Sequence, residues 1–169
     1  MAHVQVLADD VELDSPTMIE GLPGPGLVGK IAADHLVEEY EMTHYADLVC
    51  DGLPDVAVYR SEASSVMSPV RLYADADRDL LVLQSDIPVS PSSATEFVGC
   101  VSGWLGENDA FPIYLSGLPV EEKGDVPELF GVATGAAETR LDDAGIVPPR
   151  QDGLVSGPTG ALMAHAHEQ

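Results

Sequence analysis

A turn that neither a helix nor a strand can cross interrupts the first third of this chain. Gly21-Leu22-Pro23-Gly24-Pro25-Gly26 puts three glycines and two prolines into six positions. Glycine admits left-handed backbone, and proline fixes φ and removes an N–H donor, so regular hydrogen bonding must stop near residue 20 and restart beyond 26. Before the turn, Thr17-Met18-Ile19-Glu20 reads as a short strand. After it, residues 27–40 become helical. Val28, Ile31, Ala32, Ala33, Leu36, Val37 and Tyr40 form a broad apolar face, and Lys30, Asp34, Glu38 and Glu41 line the other side. A strand, a tight turn and a helix this apolar make the opening of a unit that packs its helix onto a sheet.

The remainder of the chain repeats that logic. Residues 1–16 are polar and acidic and read as a lead-in arm or edge strand. Strands are expected at 45–50, 56–59 and 70–73, with a loop at 61–68. Leu80-Leu81-Val82-Leu83, within a strand at 78–85, is continuously apolar, as a strand covered on both faces must be. Ser93-Ala94-Thr95-Glu96 has capping-box spacing and opens a second helix that points Phe97, Val101, Trp104 and Leu105 inward. Further strands are expected at 112–116, 130–134 and 153–156. A short helix at 136–144 is stopped by Gly145, and a last helix starts at 159–167. Alternating strands and helices over 169 residues predict one α/β domain spanning 1–169, with a mostly parallel or mixed central sheet.

Charge limits the partners. Asp and Glu number 29 against 7 Lys and Arg, a formal charge of -22, and only Lys30 and Lys123 are lysines. The acids are dispersed along the chain (Asp9-Asp10, Glu38-Glu39, Asp75, Asp77, Asp79, Glu121-Glu122, Asp142-Asp143) rather than gathered in a tail. Such a chain repels itself in dilute buffer, and molar salt shortens the screening length to about 3 Å. The expectation is a cytoplasm rich in salt. A surface so poor in bases argues against nucleic acid as a partner. No run of about 20 apolar residues exists, so no membrane partner is expected, and the first residues carry no secretory signal. Cys50 and Cys100 sit fifty positions apart among apolar neighbours, which favours reduced, buried thiols and offers no metal site.

The glycine turn is also where a ligand site could lie. Gly24, Gly26 and Gly29 satisfy G-x-G-x-x-G between a strand and a helix, and Gly24 to Lys30 satisfies G-x-x-x-x-G-K. A triphosphate loop needs Ser or Thr next, yet Ile31 stands there and is expected to face the core. Gly24, Gly26, Gly29 and Lys30 are therefore weighed as an anion site against a purely structural turn, in which glycines let helix and sheet approach closely. Asp86, at the end of the Leu80–Leu83 run, is the acid placed where open α/β sheets present groups to ligands; the alternative is a turn or cap role before Pro88. The nucleophile elbow is absent. His165 and His167 point apart on a helix, and His35 is expected to be partly buried and satisfied. No catalytic residue, metal set or cofactor is expected.

The run Glu20-Gly21-Leu22-Pro23-Gly24-Pro25-Gly26-Leu27-Val28-Gly29-Lys30-Ile31-Ala32-Ala33 resembles the opening motif of the proteasome assembly chaperone family, in its archaeal and actinobacterial branch. Leu80–Pro88 (Leu-Leu-Val-Leu-Gln-Ser-Asp-Ile-Pro), Gly131-Val132-Ala133-Thr134-Gly135 and Gly157-Pro158-Thr159-Gly160-Ala161-Leu162 follow in the same order. Taken with the acidic composition, the resemblance implies a haloarchaeal-type member. The resemblance implies a three-layer α/β/α sandwich similar to the phosphorylase/hydrolase-like fold, self-association into a homo-oligomer, and help in assembling proteasome α-subunits without catalysis. It also implies a further strand and helix after the Gly157–Leu162 motif, which this sequence lacks. His167-Glu168-Gln169 does not match the hydrophobic-tyrosine-any tail of some archaeal relatives. The alternative function is a small-molecule or nucleotide-binding enzyme or sensor built on the turn from Gly24 to Lys30.

Overall fold

The apolar run at 80–83 becomes a strand near the middle of a six-stranded sheet, buried on both faces. The computed structural model describes residues 3–119, 124 and 126–169. Its strands are β1 (His3–Val6), β2 (Thr17–Gly21), β3 (Thr43–Val49), β4 (Val58–Tyr59), β5 (Val66–Met67), β6 (Val70–Asp75), β7 (Leu80–Ser85) and β8 (Phe111–Tyr114). The helices are α1 (Val28–Glu39), α2 (Ala94–Glu107), α3 (Ala137–Asp143) and α4 (Gly157–Glu168). Strand order is β1-β3-β6-β7-β2-β8. β2 lies parallel to both β7 and β8, and β6, β3 and β1 add on antiparallel. The sheet is therefore mixed, as expected. β4 and β5 pair only with each other, as a separate antiparallel ribbon.

Side-chain alternation sends Met18, Leu81, Leu83, Leu72 and Leu48 to one face of the sheet, against Phe97, Val101 and Leu105 of α2 and Leu162 of α4. Ile19, Val82 and Leu80 go to the opposite face, against Ala33, Leu36 and Val37 of α1. These are the two interfaces of a three-layer sandwich. Burying each of these larger side chains contributes about 1.5–3 kcal/mol, and the larger core lies on the α2–α4 side.

α1 meets the sheet with its smallest residues. A Cβ at Gly21 would stand 2.0 Å from the Ala33 Cβ, and one at Gly29 would stand 3.0 Å from the Leu115 carbonyl oxygen. Helix and sheet can approach this closely only where side chains are absent or minimal, so the Gly29–Ala33 edge faces inward. The expected apolar face is rotated as a result. Ile31 does not face the core but is 62% exposed, and Val28 is 46% exposed. His35, expected to be partly buried, is exposed for the same reason.

Other expectations are corrected. Residues 130–134 and 153–156 form no strand; Gly131 N–H donates instead to the Val147 carbonyl at 3.1 Å. The loop expected at 61–68 contains β5. Ser93 does not cap α2 through its side chain; its hydroxyl donates to the Gly52 carbonyl at 2.6 Å and ties the helix start to the turn that follows β3. The cysteines are not free thiols: Cys50, just past β3, is joined to Cys100 of α2 in a disulfide with Cα atoms 6.1 Å apart. Strand and helix bring the two together in space, which sequence distance could not reveal. Glu121, Glu122 and Lys123 lie outside the described residues.

Candidate functional site

β2 runs to α1 on one face of the sheet, and its neighbour β7 runs to α2 on the other. Open sheets carry crevices at the carboxyl ends of strands around such a reversal. On the β8 side of β2 the structure holds a small cleft of about 110 Å³. Its walls come from three places: the turn at Leu22, Pro23, Gly24, Pro25 and Gly29; the end of β8 at Leu115, Ser116 and Gly117; and the start of α4 at Ser156, Gly157, Pro158 and Thr159. Two of the motifs that carry the resemblance, separated by some 130 positions in the chain, thus meet across one cleft.

Two glycines of the turn, Gly24 and Gly29, line the cleft. Gly29 is required by the close packing described above. Gly24 is not: its φ is -156°, an extended conformation open to any residue, and a Cβ there would meet no atom within 4 Å. Gly26 has φ +65° and Leu27 follows it at +54°. Two successive left-handed residues reverse the chain into α1, and for leucine that conformation costs about 1–2 kcal/mol.

Behind the cleft lies Glu20, wholly buried on the α4 side of β2. The Thr159 hydroxyl donates to its Oε1 at 2.8 Å, and the Leu115 N–H points at Oε2 from 3.4 Å. Among the described residues no cation pairs with it. Burial pushes the Glu20 pKa up to about 7, and the bonds from Thr159, Leu115 and Leu22 offset only part of that rise. Tyr114 of β8 is pushed up to about 12, first by burial and then by the nearby Glu20 charge.

Lys30 and Asp86 do not reach this cleft. Each belongs to a chain of polar side chains on the α1 face, at the start of β6 and the end of β7. Lys30 Nζ pairs with Asp34 at 2.9 Å, and Asp34 accepts from Gln84. Arg71, which is 0% exposed, donates to Gln84 at 3.1 Å, to Asp86 at 2.6 Å, to the Tyr73 hydroxyl at 3.2 Å and to the Ser68 carbonyl. Arg60 reaches Asp86 at 2.9 Å. Burial works against the Asp86 charge, but the two guanidinium groups hold its carboxyl below the usual range. Asp86 is the partner that makes a buried arginine tolerable.

Sequence reading did not single out Glu20 or Thr159. One signal was present: Met18 and Glu20 lie two apart on a strand and share a face, so an acid there had to be buried alongside a core methionine. Among the described residues no group of three or more His, Cys, Asp or Glu could hold a metal ion.

Comparison with known proteins places this arrangement. The uncharacterized protein MJ0106 of Methanocaldococcus jannaschii is 28% identical over 162 residues, 94% of this chain and 63% of that protein. MJ1210 of the same organism is 24% identical over 164 residues, 93% and 63%. The chain thus spans a little less than two thirds of the curated relatives it matches. Among solved structures it is similar to Pyrococcus furiosus PbaA, described as an archaeal homolog of proteasome-assembly chaperone, with TM-score 0.83 and 24% identity over 99% of this chain and 71% of that one. It is also similar to Pyrococcus furiosus PbaB, described as an archaeal proteasome activator, with TM-score 0.78 and 25% identity over 99% and 75%. The model of the PAC2 family matches residues 18–169, from the strand that carries Glu20 through the helix that carries Thr159, and the chain belongs to that family.

Proposed function

We propose that this chain is a non-enzymatic interaction protein that assists the assembly of proteasome α-subunits. The observation that carries the reading is the likeness of 99% of the chain to PbaA and PbaB, with family membership from residue 18 onward. The distribution of apolar surface supports it. Tyr59 and Val66, a cross-strand pair on the β4–β5 ribbon, are 78% and 70% exposed. Leu27, Val28 and Ile31 add a second exposed group at the start of α1. A short two-stranded ribbon is marginal in water by itself, and large apolar side chains exposed together are the material of protein interfaces. Self-association into a homo-oligomer and binding of α-subunits both draw on such surface.

The same reading sets the chain in a cytoplasm of high salt, where a formal charge of -22 is screened, and makes phosphate backbones poor partners. Among the described residues no helix is long and apolar enough to cross a membrane. The test is co-purification at multimolar salt with tagged proteasome α-subunits of the same organism. The expected result is stoichiometric capture that weakens when Tyr59 and Val66 are both replaced by Ser. No capture by the unaltered chain refutes the reading.

A further inference from the structure

We propose that the cleft between the glycine turn, the end of β8 and the start of α4 is a binding site for a small uncharged compound, or group, bearing hydroxyls or amides. The inference stands apart from the partner proposed above. It starts from two features that packing leaves unexplained. Glu20 is a carboxylic acid sealed into the sheet with no cation beside it among the described residues, where a neutral side chain would avoid the desolvation cost. Gly24 lines the cleft with neither a close neighbour nor a left-handed φ to require glycine, so its backbone is left open for approach.

The lining sets the ligand class. Among the described residues no charged side chain lines the cleft, so none of them compensates a full ligand charge. Thr159 lines the cleft and spends its hydroxyl hydrogen on Glu20, which leaves its oxygen as an acceptor for a ligand O–H or N–H. Ser156 adds a hydroxyl that can donate or accept, Ser116, whose hydroxyl donates to the Gly117 carbonyl at 3.4 Å, adds an acceptor, and Pro23, Pro25 and Pro158 supply apolar flanks. Glu20 fixes the Thr159 rotamer from behind and acts as a positioning residue. At about 110 Å³ the cleft is well below the ~300–1,000 Å³ of pockets for drug-sized ligands, so it encloses only a few heavy atoms.

The experiment is thermal unfolding of the full chain at one fixed ionic strength, titrated with millimolar ribose or glycerol (polyols), acetamide or glycinamide (amides), and with inorganic phosphate and ammonium as charged probes. Two variants accompany it. Gly24→Leu adds bulk at a lining position where a Cβ meets no atom within 4 Å, and Thr159→Val removes the acceptor. The expected result is a saturable rise in Tm of several degrees with a polyol or an amide that is lost in at least one variant. No rise with either class, a rise with phosphate or ammonium alone, or a full rise retained in both variants overturns the proposal. None of these outcomes bears on capture of α-subunits, so the two readings fail separately.

Discussion

Replacing Glu20 by Gln should change how the stability of this protein depends on pH, because the carboxyl is fully buried and has no cation partner among the described residues. Its pKa rises from 4.5 to about 7 on folding. At about 1.4 kcal/mol per pH unit, that rise is worth about 3 kcal/mol. The sign follows from proton binding: between the two pKa values the folded state holds a proton that the unfolded state has released. The contribution is fully present below about pH 4.5, declines as pH rises, and is gone above about pH 7. Glutamine keeps the size of the side chain and cannot ionise, but loses one acceptor facing the Thr159 hydroxyl or Leu115 N–H, which costs about 1 kcal/mol at every pH. E20Q should therefore be slightly less stable than the parent at about pH 4.5 and more stable by about 2 kcal/mol at about pH 8. The assay is denaturant unfolding of both proteins at several pH values in molar salt, where surface repulsion is screened to about 3 Å. The difference between them is the quantity to follow, since the remaining acids titrate in both. A difference that stays flat from about pH 4.5 to 8 would refute the buried, cation-free carboxyl and its coupling to Thr159.

Three further outcomes follow from the same contacts. Asp86→Asn leaves the fully buried Arg71 with only neutral partners and should cost about 3–5 kcal/mol, whereas Lys30→Gln, which breaks a half-exposed i,i+4 pair, should cost under about 0.5 kcal/mol; chemical denaturation of the two variants checks the ranking. Reducing the Cys50–Cys100 disulfide, or replacing both cysteines by Ala, frees a loop of 50 residues and should lower stability by about 4 kcal/mol, read as a drop in the denaturant midpoint. A formal charge of -22 predicts that the fold loosens below roughly 0.5 M salt as the screening length grows; circular dichroism unchanged down to dilute buffer would contradict it.

The fold was most legible where local chemistry and tertiary packing agree. The glycine–proline turn, the continuous apolar strand at 80–83 and the long helices all sit within a residue or two of their expected bounds, because each signal is contained in its own segment. The orientation of α1 was not legible. Apolar periodicity marks which side chains could be buried, but the closeness of Gly21 to Ala33 decides which side is, and that distance exists only after the strand and helix have met. The same holds for the Cys50–Cys100 bond and for residues 130–134 and 153–156, where strand-like sequence finds no strand to pair with.

The candidate site shows the same division. Glycine spacing located one wall of the cleft, and the strand end located Asp86, but the role of each depends on partners far away in sequence. Asp86 is occupied by Arg60 and Arg71 from 26 and 15 positions away, and Glu20 meets Thr159 across 139 positions. A single segment holds no trace of such pairings beyond an acid where the alternation calls for an apolar residue.

The most direct measurement is light scattering during ring formation by isolated proteasome α-subunits from the same organism, at multimolar salt, with and without an equimolar amount of this chain. The account predicts faster growth to ring-sized mass when the chain is present and a weaker effect from the variant in which Tyr59 and Val66 are both Ser. Identical traces with and without the chain would contradict it.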